Sequence, residues 1–370
     1  MLRAFILLIF TTISQISFAS TEENHGHKAE FDPGHMITEH IADAHDWHLW
    51  GHTHIPLPVI LYTPQGIEIF SSSNFRNHET HSLQPYQGKH YTYVLEDEEI
   101  YVANAEGEIN ESLSAGILDL SITKNIVTIF VVALLMLYVF ISVANAYKKR
   151  PGQAPKGLQS FMEPLIIFVR DDIARPNIGE KKYKKFMPYL LTVFFFIWIA
   201  NLLGLVPVFP GGANLTGNIA ITLTLAAFTF VITTINGNKH YWGHIFAMPG
   251  VPKPVLIILT PIEILGVFLR PFVLMIRLFA NISAGHIIAL AFFSLIFIFG
   301  KGGESMGAGL GVGVASWAFT VFMMFLELLV AFLQAFVFTL LSAVYIGSAV
   351  EEAHHGHHDE HVDQEQQLIV

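Results

Sequence analysis

Along the chain, apolar residues gather into long blocks separated by short polar stretches. Ile126–Tyr147, Met187–Val206 and Asn218–Ile235 each run for about 20 residues, the length that crosses a hydrocarbon core of about 30 Å at 1.5 Å per residue. Two further blocks are longer. As helices, Val255–Phe299 would reach about 67 Å and Val312–Val350 about 58 Å, too long for one upright crossing, and neither has the polar central turn that two crossings need. They predict two long, steeply tilted helices, and Gly300–Gly313 between them, with seven glycines, predicts a hairpin turn. Leu158–Ala174 places its apolar residues on one side at helical spacing, as in a helix lying along a membrane surface. Residues 55–105 have another period: Pro58–Tyr62, Gly66–Phe70 and Tyr91–Leu95 are short β-like runs divided by Pro, Gly and Asn. The fold expected is an all-α polytopic membrane protein with five membrane segments, the last two a long tilted hairpin, preceded by a small β-rich external element.

Composition excludes a soluble protein, since 52% of the 370 residues are hydrophobic and 14% charged against about 25% charged in soluble domains. The net charge of −10 hides a sorting by compartment. Residues 20–120 hold 17 acidic and 3 basic side chains, whereas residues 148–185 hold 10 basic and 4 acidic. Lys148, Lys149 and Arg150 follow the first long block directly, so that end is expected to be cytoplasmic. Met1–Ala19, with Arg3, an apolar middle and small Ser17 and Ala19 before a cut, reads as a signal peptide, with a first transmembrane helix as the alternative that its short, Ser14–Gln15-interrupted run disfavours. The organisation expected is residues 1–19 signal peptide, 20–122 an acidic, His-rich periplasmic extension, 123–350 a membrane domain and 351–370 a His-rich cytoplasmic tail. Cysteine is absent, which excludes disulfides and iron–sulfur clusters.

Few ionisable residues fall in the apolar blocks: Glu263, Arg270, Arg277, His286 and Glu327. A charge at mid-bilayer costs about 2.5–3.5 kcal/mol on insertion scales, so each is a functional candidate, with a structural ion pair as the alternative. Arg277 stands out because a guanidinium cannot escape burial by losing its proton. In an antiparallel hairpin, partners are symmetric about the turn. Arg277 and Gln334 have midpoint 305.5, and His286 and Glu327 have midpoint 306.5, both inside the glycine stretch. Glu327 and Gln334, seven apart, share a helix face, as do Arg277 and Asn281, four apart. The reading is a fixed cation beside a separate, titratable His/Glu pair.

At these residues the chain resembles subunit a of the rotary F-type ATP synthase. The resemblance rests on R-L-F-A-N-I-S-A-G-H from Arg277 to His286 and on E-L-L-V-A-F-L-Q-A-F-V-F from Glu327 to Phe338. P-I-E-I-L-G with Glu263, R-P at Arg270, N-L-L-G-L-V-P from Asn201 to Pro207 and a closing A-V-E-E add to it. It covers about residues 120–352. What it implies is proton translocation through two offset half-channels beside a rotating c-ring, in a non-catalytic subunit without cofactor or metal. Arg277 would be the stator arginine, Gln334 its neighbour, and His286 with Glu327 the outer half-channel pair, with Asn281 on the arginine's face. Asn201, Glu263, Arg270 and Ser283 would be secondary channel or structural positions. The partners implied are the c-ring, b-type peripheral stalk subunits and the lipid bilayer, with no nucleic acid, in a bacterial inner membrane with N-terminus periplasmic and C-terminus cytoplasmic. The chain departs from many bacterial members in exchanging the acid and the imidazole, as the mitochondrial branch does, and in carrying Gly204 where some have an acid.

The histidines offer a rival from another class. Eleven of 19 fall in residues 20–120 and five in the tail from His354 to His361, as in a His-rich transition-metal transporter. Such a transporter needs clusters of ligands on adjacent membrane helices, and His286 is the sole histidine within the apolar blocks.

Overall fold

The structure, a computed structural model, describes residues 43–50, 53–77, 82–104, 108–206, 211–246, 248, 251–300 and 306–351. The expected signal peptide, the histidines before residue 43 and the His-rich tail lie outside the described residues. The strands, in order, are β1 (Asp46–Trp50), β2 (Thr53–Pro56), β3 (Pro58–Thr63), β4 (Gly66–Ser71), β5 (Tyr86–Gln87), β6 (Thr92–Glu96), β7 (Glu99–Ala103) and β8 (Leu118–Asp119). The helices are α1 (Glu111–Ser114), α2 (Lys124–Lys149), α3 (Leu158–Phe168), α4 (Arg175–Ile178), α5 (Tyr183–Gly204), α6 (Ile219–Asn236), α7 (Lys239–Phe246), α8 (Lys253–Gly300) and α9 (Met306–Val350). Five of them, α2, α5, α6, α8 and α9, are long and apolar enough to cross a membrane. At 48 and 45 residues, α8 and α9 span about 72 and 67 Å.

The expected glycine turn is shorter than its sequence suggested. Gly300 ends α8, and Gly307, Gly309, Gly311 and Gly313 all belong to α9. Each glycine in a helix costs about 1 kcal/mol relative to Ala, but an unpaired backbone group in hydrocarbon costs several, and helix wins.

Two compact units divide the chain: Met1–Leu135, Ile199–Asn218 and Asn281–Ala331 in the first, and Met136–Trp198, Ile219–Ala280 and Phe332–Val370 in the second. In the first unit β3 lies between β4 and β8, β6 lies between β5 and β7, and β1 pairs with β2, all antiparallel. Alternation along β3 buries Val59 and Leu61, which pack with Phe75, Tyr93 and Val102. One acid is buried with them. Glu68 accepts hydrogen bonds from Lys89 N–H at 2.7 Å, His90 N–H at 3.0 Å and the Tyr93 hydroxyl at 2.9 Å, so the carboxylate's lost hydration is replaced. Burial, reinforced by the Glu68 hydrogen bond, holds the Tyr93 hydroxyl above the ordinary phenol range. A Cβ at Gly88 would lie 2.5 Å from Glu68 Oε2, so only glycine fits there.

This extension is joined to the start of α2. Asp43 accepts from Thr123 Oγ1 at 2.9 Å and from Asn125 N–H at 3.0 Å, a carboxylate on the positive end of the helix dipole. Lys124 N–H donates to Ala44 O at 3.0 Å, and His45 Nε2 pairs with Asp119 Oδ2 at 2.9 Å. Burial pulls the His45 imidazole down, but the Asp119 bond and the charges of Asp119, Glu98 and Asp43 outweigh it and raise the value above its ordinary one. Burial works against the Asp119 carboxylate, yet its bonds to His45 and Ser121 hold it below its ordinary value.

In the second unit, Phe168, Phe194, Trp198, Phe332 and Phe336 form a run of ring contacts with centroids 5.6–6.3 Å apart. The surface helix expected over Leu158–Ala174 is α3 followed by one π-helical stretch, Val169–Ala174, leading into α4. There Asp171 takes Arg170 and Arg175, both at 2.8 Å. Basic residues at the start of α5 reach two helix ends: Lys182 Nζ, just before it, donates to Val350 O at 2.7 Å and Lys185 Nζ, in its first turn, to Asn236 Oδ1 at 2.6 Å. The start of α5 and the C-terminal ends of α6 and α9 thus meet on one side, where ammonium groups suit the helix dipoles.

Candidate functional site

In the first unit a cavity of about 230 Å³ is lined by Asn201, Asn214, Thr216, Asn281, Gly285 and Glu327, among others. It is built from segments far apart in sequence. The last turn of α5 presents Asn201, whose Nδ2 donates to Ala331 O at 3.3 Å and whose Oδ1 accepts from Thr216 Oγ1 at 2.5 Å. The chain between α5 and α6 returns through a short 3-10 turn, Leu215–Gly217, which Asn214 caps by accepting from Gly217 N–H at 3.0 Å. The Asn214 side chain lies over the space a Cβ at position 217 would need. Buried Ser283 donates to the Gly217 carbonyl at 3.4 Å. From α8 come Asn281 and Gly285, and from α9 comes Glu327.

Glu327 is half-buried, and its Oε1 has no hydrogen-bond partner among the described residues. A Cβ at Gly285 would lie 3.0 Å from that oxygen, so the helices approach here because the facing residue is glycine. The contact between positions 285 and 327 and the ring contact between Phe292 and Phe319, 3.7 Å between centroids, are centred on residues 306 and 305.5. Those centres fall inside the glycine stretch. His286 belongs to α8 by its backbone, but its side chain lies outside the described residues. The cavity has room for several waters. It combines a carboxylate that can take up and release a proton with amides and a hydroxyl that can orient water between donors and acceptors.

In the second unit Arg277 is exposed on α8, beside exposed Val273, Ile276 and Ala280, while Leu274 and Leu278, turned to one side of it, are buried. Gln334 is 5% exposed. No hydrogen bond joins Arg277 to Gln334, and Arg277 has no ion-pair partner among the described residues. Contacts in this unit are centred later than the expected 305.5: Arg270 stacks over the Tyr345 ring at 5.5 Å, centred on 307.5, and Val267 packs with Ala349, centred on 308. Two long helices that wrap one another do not keep a fixed midpoint, so pairings read from one midpoint lose register away from the turn. Beside Arg270 is a cavity of about 10 Å³ bordered by Thr233, Thr234, Tyr241 and Tyr345. Arg270 Nη1, Tyr241 Oη, Thr233 Oγ1 and Thr234 Oγ1 are buried with no hydrogen-bond partner among the described residues. The space is about that of one water. Glu263, a turn or more away on α8, is half-buried.

A family model described as ATP synthase A chain matches residues 126–347. The chain belongs to that family. Its curated relatives include ATP synthase subunit a 2 of Chlorobaculum tepidum, 48% identical over 249 residues, 66% of this chain and 66% of that protein. ATP synthase subunit a of Chloroherpeton thalassium is 44% identical, covering 67% of this chain and 72% of that one, and ATP synthase subunit a of Chlorobium phaeobacteroides is 48% identical, covering 65% and 69%. About two thirds of each relative's length is therefore compared. The ATP synthase A chain match takes in Asn201, Glu263, Arg270, Arg277, Asn281, Ser283, His286, Glu327 and Gln334. A second model, described as a domain of unknown function (DUF8433), matches residues 36–120. With five apolar helices of membrane-crossing length, this family member is a multi-pass membrane protein.

Sequence reasoning missed Asn214 and Thr216, which lie between the blocks Met187–Val206 and Asn218–Ile235. The available signal was two polar side chains between two apolar blocks, at positions where a tight turn between spans needs only glycine. As for the rival reading, among the described residues no three His, Asp or Glu side chains converge in a metal-ligating group.

Proposed function

We propose that this chain carries protons past the rotating c-ring of an F-type ATP synthase, coupling the proton gradient to ATP synthesis as a non-catalytic stator subunit. The observation that carries the reading is the cavity of the first unit, where Glu327 projects a carboxylate oxygen without a hydrogen-bond partner among the described residues, beside Asn201, Asn214, Thr216 and Asn281, in a chain of the ATP synthase A chain family. That cavity is the outer half-channel, with His286 and Glu327 as its proton-relay pair. The polar group of Glu263, Arg270 and Tyr241 belongs to the inner path.

The physical logic is electrostatic. A rotor carboxylate crosses lipid only when protonated, because the ionised form is too costly there. Beside an opposite charge within about 4–6 Å the ionised form is favoured. Arg277, on an open face of α8 with no partner of its own among the described residues, supplies that charge to a rotor carboxylate passing it. The carboxylate discharges on one side of the arginine and reloads on the other, so two offset half-channels turn a gradient into rotation. Gln334 lies on the last helix in the same membrane region and supports the arginine's surroundings. The two long helices tilt against the curved wall of the c-ring, b-type stalk subunits hold the chain against torque, and the basic side faces the cytoplasm of a bacterial inner membrane.

The test is Arg277→Ala in the assembled complex. Coupled ATP synthesis should fall to background while assembly is retained, and Arg277→Lys should restore little, since an ammonium is a compact, strongly hydrated charge. Normal proton-driven synthesis in Arg277→Ala would remove the stator assignment.

A further inference from the structure

The β4-β3-β8 sheet has two faces of unlike chemistry. Its inner face packs Val59 and Leu61 into the core of the extension. Its outer face carries Ile60, Tyr62, Ile67, Ile69, Leu118 and Leu120. The register puts Ile60 across from Ile69 and Tyr62 across from both Ile67 and Leu118, and Leu120 N–H bonds to Ile60 O, continuing the row. Five of these six are between 51% and 68% exposed, and none is charged. An antiparallel sheet with one solvated face places polar residues there. An apolar face of this extent marks a contact surface. The acids of the same extension gather elsewhere, with Glu96, Asp97, Glu99, Glu108 and Glu111 exposed on and after the β6–β7 hairpin.

Covalent continuity with α2 identifies the cover. Leu120 precedes Lys124, the first residue of α2, by four residues, a reach of at most about 14 Å. That reach is not slack, because Ile122 N–H bonds to Pro58 O and Lys124 N–H to Ala44 O, while Asp43 caps the helix. The 26 residues of α2 span about 39 Å against a hydrocarbon core of about 30 Å, so about 9 Å of helix, shared between two ends, stands outside it. Phe130 and Leu134 on α2 are exposed apolar side chains. The sheet is thereby held at headgroup depth, the level at which an apolar surface sinks about 5–10 Å into the boundary between headgroups and acyl chains. Tyr62, with an apolar ring and a polar tip, suits that level.

We infer that the outer face of the β4-β3-β8 sheet is a lipid-contact surface, which seats the N-terminal extension in the headgroup layer of the leaflet where α2 begins. The contact is apolar rather than electrostatic, since residues 20–120 carry 17 acidic against 3 basic side chains. Zwitterionic lipid therefore suffices.

The absence of cysteine allows a direct test. Single cysteines at positions 67, 69 and 118, with position 99 on β7 as reference, are labelled with an environment-sensitive fluorophore in the whole complex reconstituted into phosphatidylcholine vesicles. A nitroxide quencher carried at the top of the acyl chain should quench the three face positions at least about twofold more than position 99, and aqueous iodide should show the reverse order. Equal iodide access at all four positions would place the face in water and overturn the inference. Protection from both quenchers would mean a protein partner covers it, which also overturns it. Slow exchange of the Lys89 and His90 amides, bonded to Glu68, establishes that each labelled variant keeps the sheet.

Discussion

At position 285 a single methyl group would stand 3.0 Å from Glu327 Oε1 and 3.4 Å from its Cγ, inside the about 3.5–4.0 Å at which nonbonded carbons rest. Gly285→Ala should therefore displace the carboxylate within its cavity and lower proton flux several-fold per assembled complex. Glu327→Gln should lower it further, because the amide occupies the same space without the titratable oxygen. Proton pumping by fluorescence quenching in inverted vesicles, normalised to assembled complex, checks both, and unchanged flux in Glu327→Gln would end its relay role. Outside the membrane, His45 and Asp119 form a pair whose strength depends on pH. The raised His45 value means its contribution is complete below the ordinary 6.5 and is lost as pH rises through the folded value. The lowered Asp119 value means its contribution is present above the ordinary 3.8 and is lost as pH falls through the folded one. The charges of Glu98 and Asp43 also face His45 and help to raise its value. Exchange protection of the Lys124 amide, corrected for intrinsic rate, should be greatest between those two ordinary values and decline in the alkaline direction. A flat profile from pH 5 to 9 would detach the pair from the junction.

Elements carry the next level of constraint. Nothing but length and apolarity was needed to foresee that α8 and α9 exceed a bilayer, and four contacts then fix how they lie against each other. Near the turn Phe292 meets Phe319 at 3.7 Å. Cysteines placed at 292 and 319 should cross-link readily, since a disulfide needs Cα atoms within about 7 Å, and the pair 292 with 323, one turn along, should not. In the second unit, cysteines at 270 and 345 should cross-link in preference to 270 and 341, following the Arg270–Tyr345 contact. Preference for the shifted pairs would refute this register.

The whole molecule is ordered by charge. Ten of 20 basic residues lie in positions 148–185, and Lys182 and Lys185 bring that segment onto the ends of α9 and α6. The acidic extension adjoins the opposite end of α2, whose last turn holds Lys148 and Lys149. An impermeant maleimide should accordingly label Lys149→Cys in inverted vesicles and Asp97→Cys in right-side-out ones. Labelling of both from one side would contradict the orientation proposed from the positive-inside rule.

What the sequence determined alone is whatever depends on neighbours along the chain. The spans read as Ile126–Tyr147 and Asn218–Ile235 are the helices Lys124–Lys149 and Ile219–Asn236, because hydrocarbon thickness and the need to pair every backbone group select a helix wherever about 20 apolar residues follow one another. Three strands, β3, β4 and β6, followed equally from period-two alternation, whereas β1, β2, β5, β7 and β8 were not read from it, and the motif around Arg277 was visible as a string. Tertiary structure decided everything that joins distant segments. Asn201 meets Ala331 across 130 positions, and Asn214 and Thr216 become cavity walls only because their turn is packed against α8 and α9. The Arg270 contact centred on 307.5 rather than 305.5 reflects the phase and crossing of two long helices. No local pattern encodes that geometry, because side chains one residue apart on a helix point about 100° apart, and only packing against a partner selects which of them faces inward.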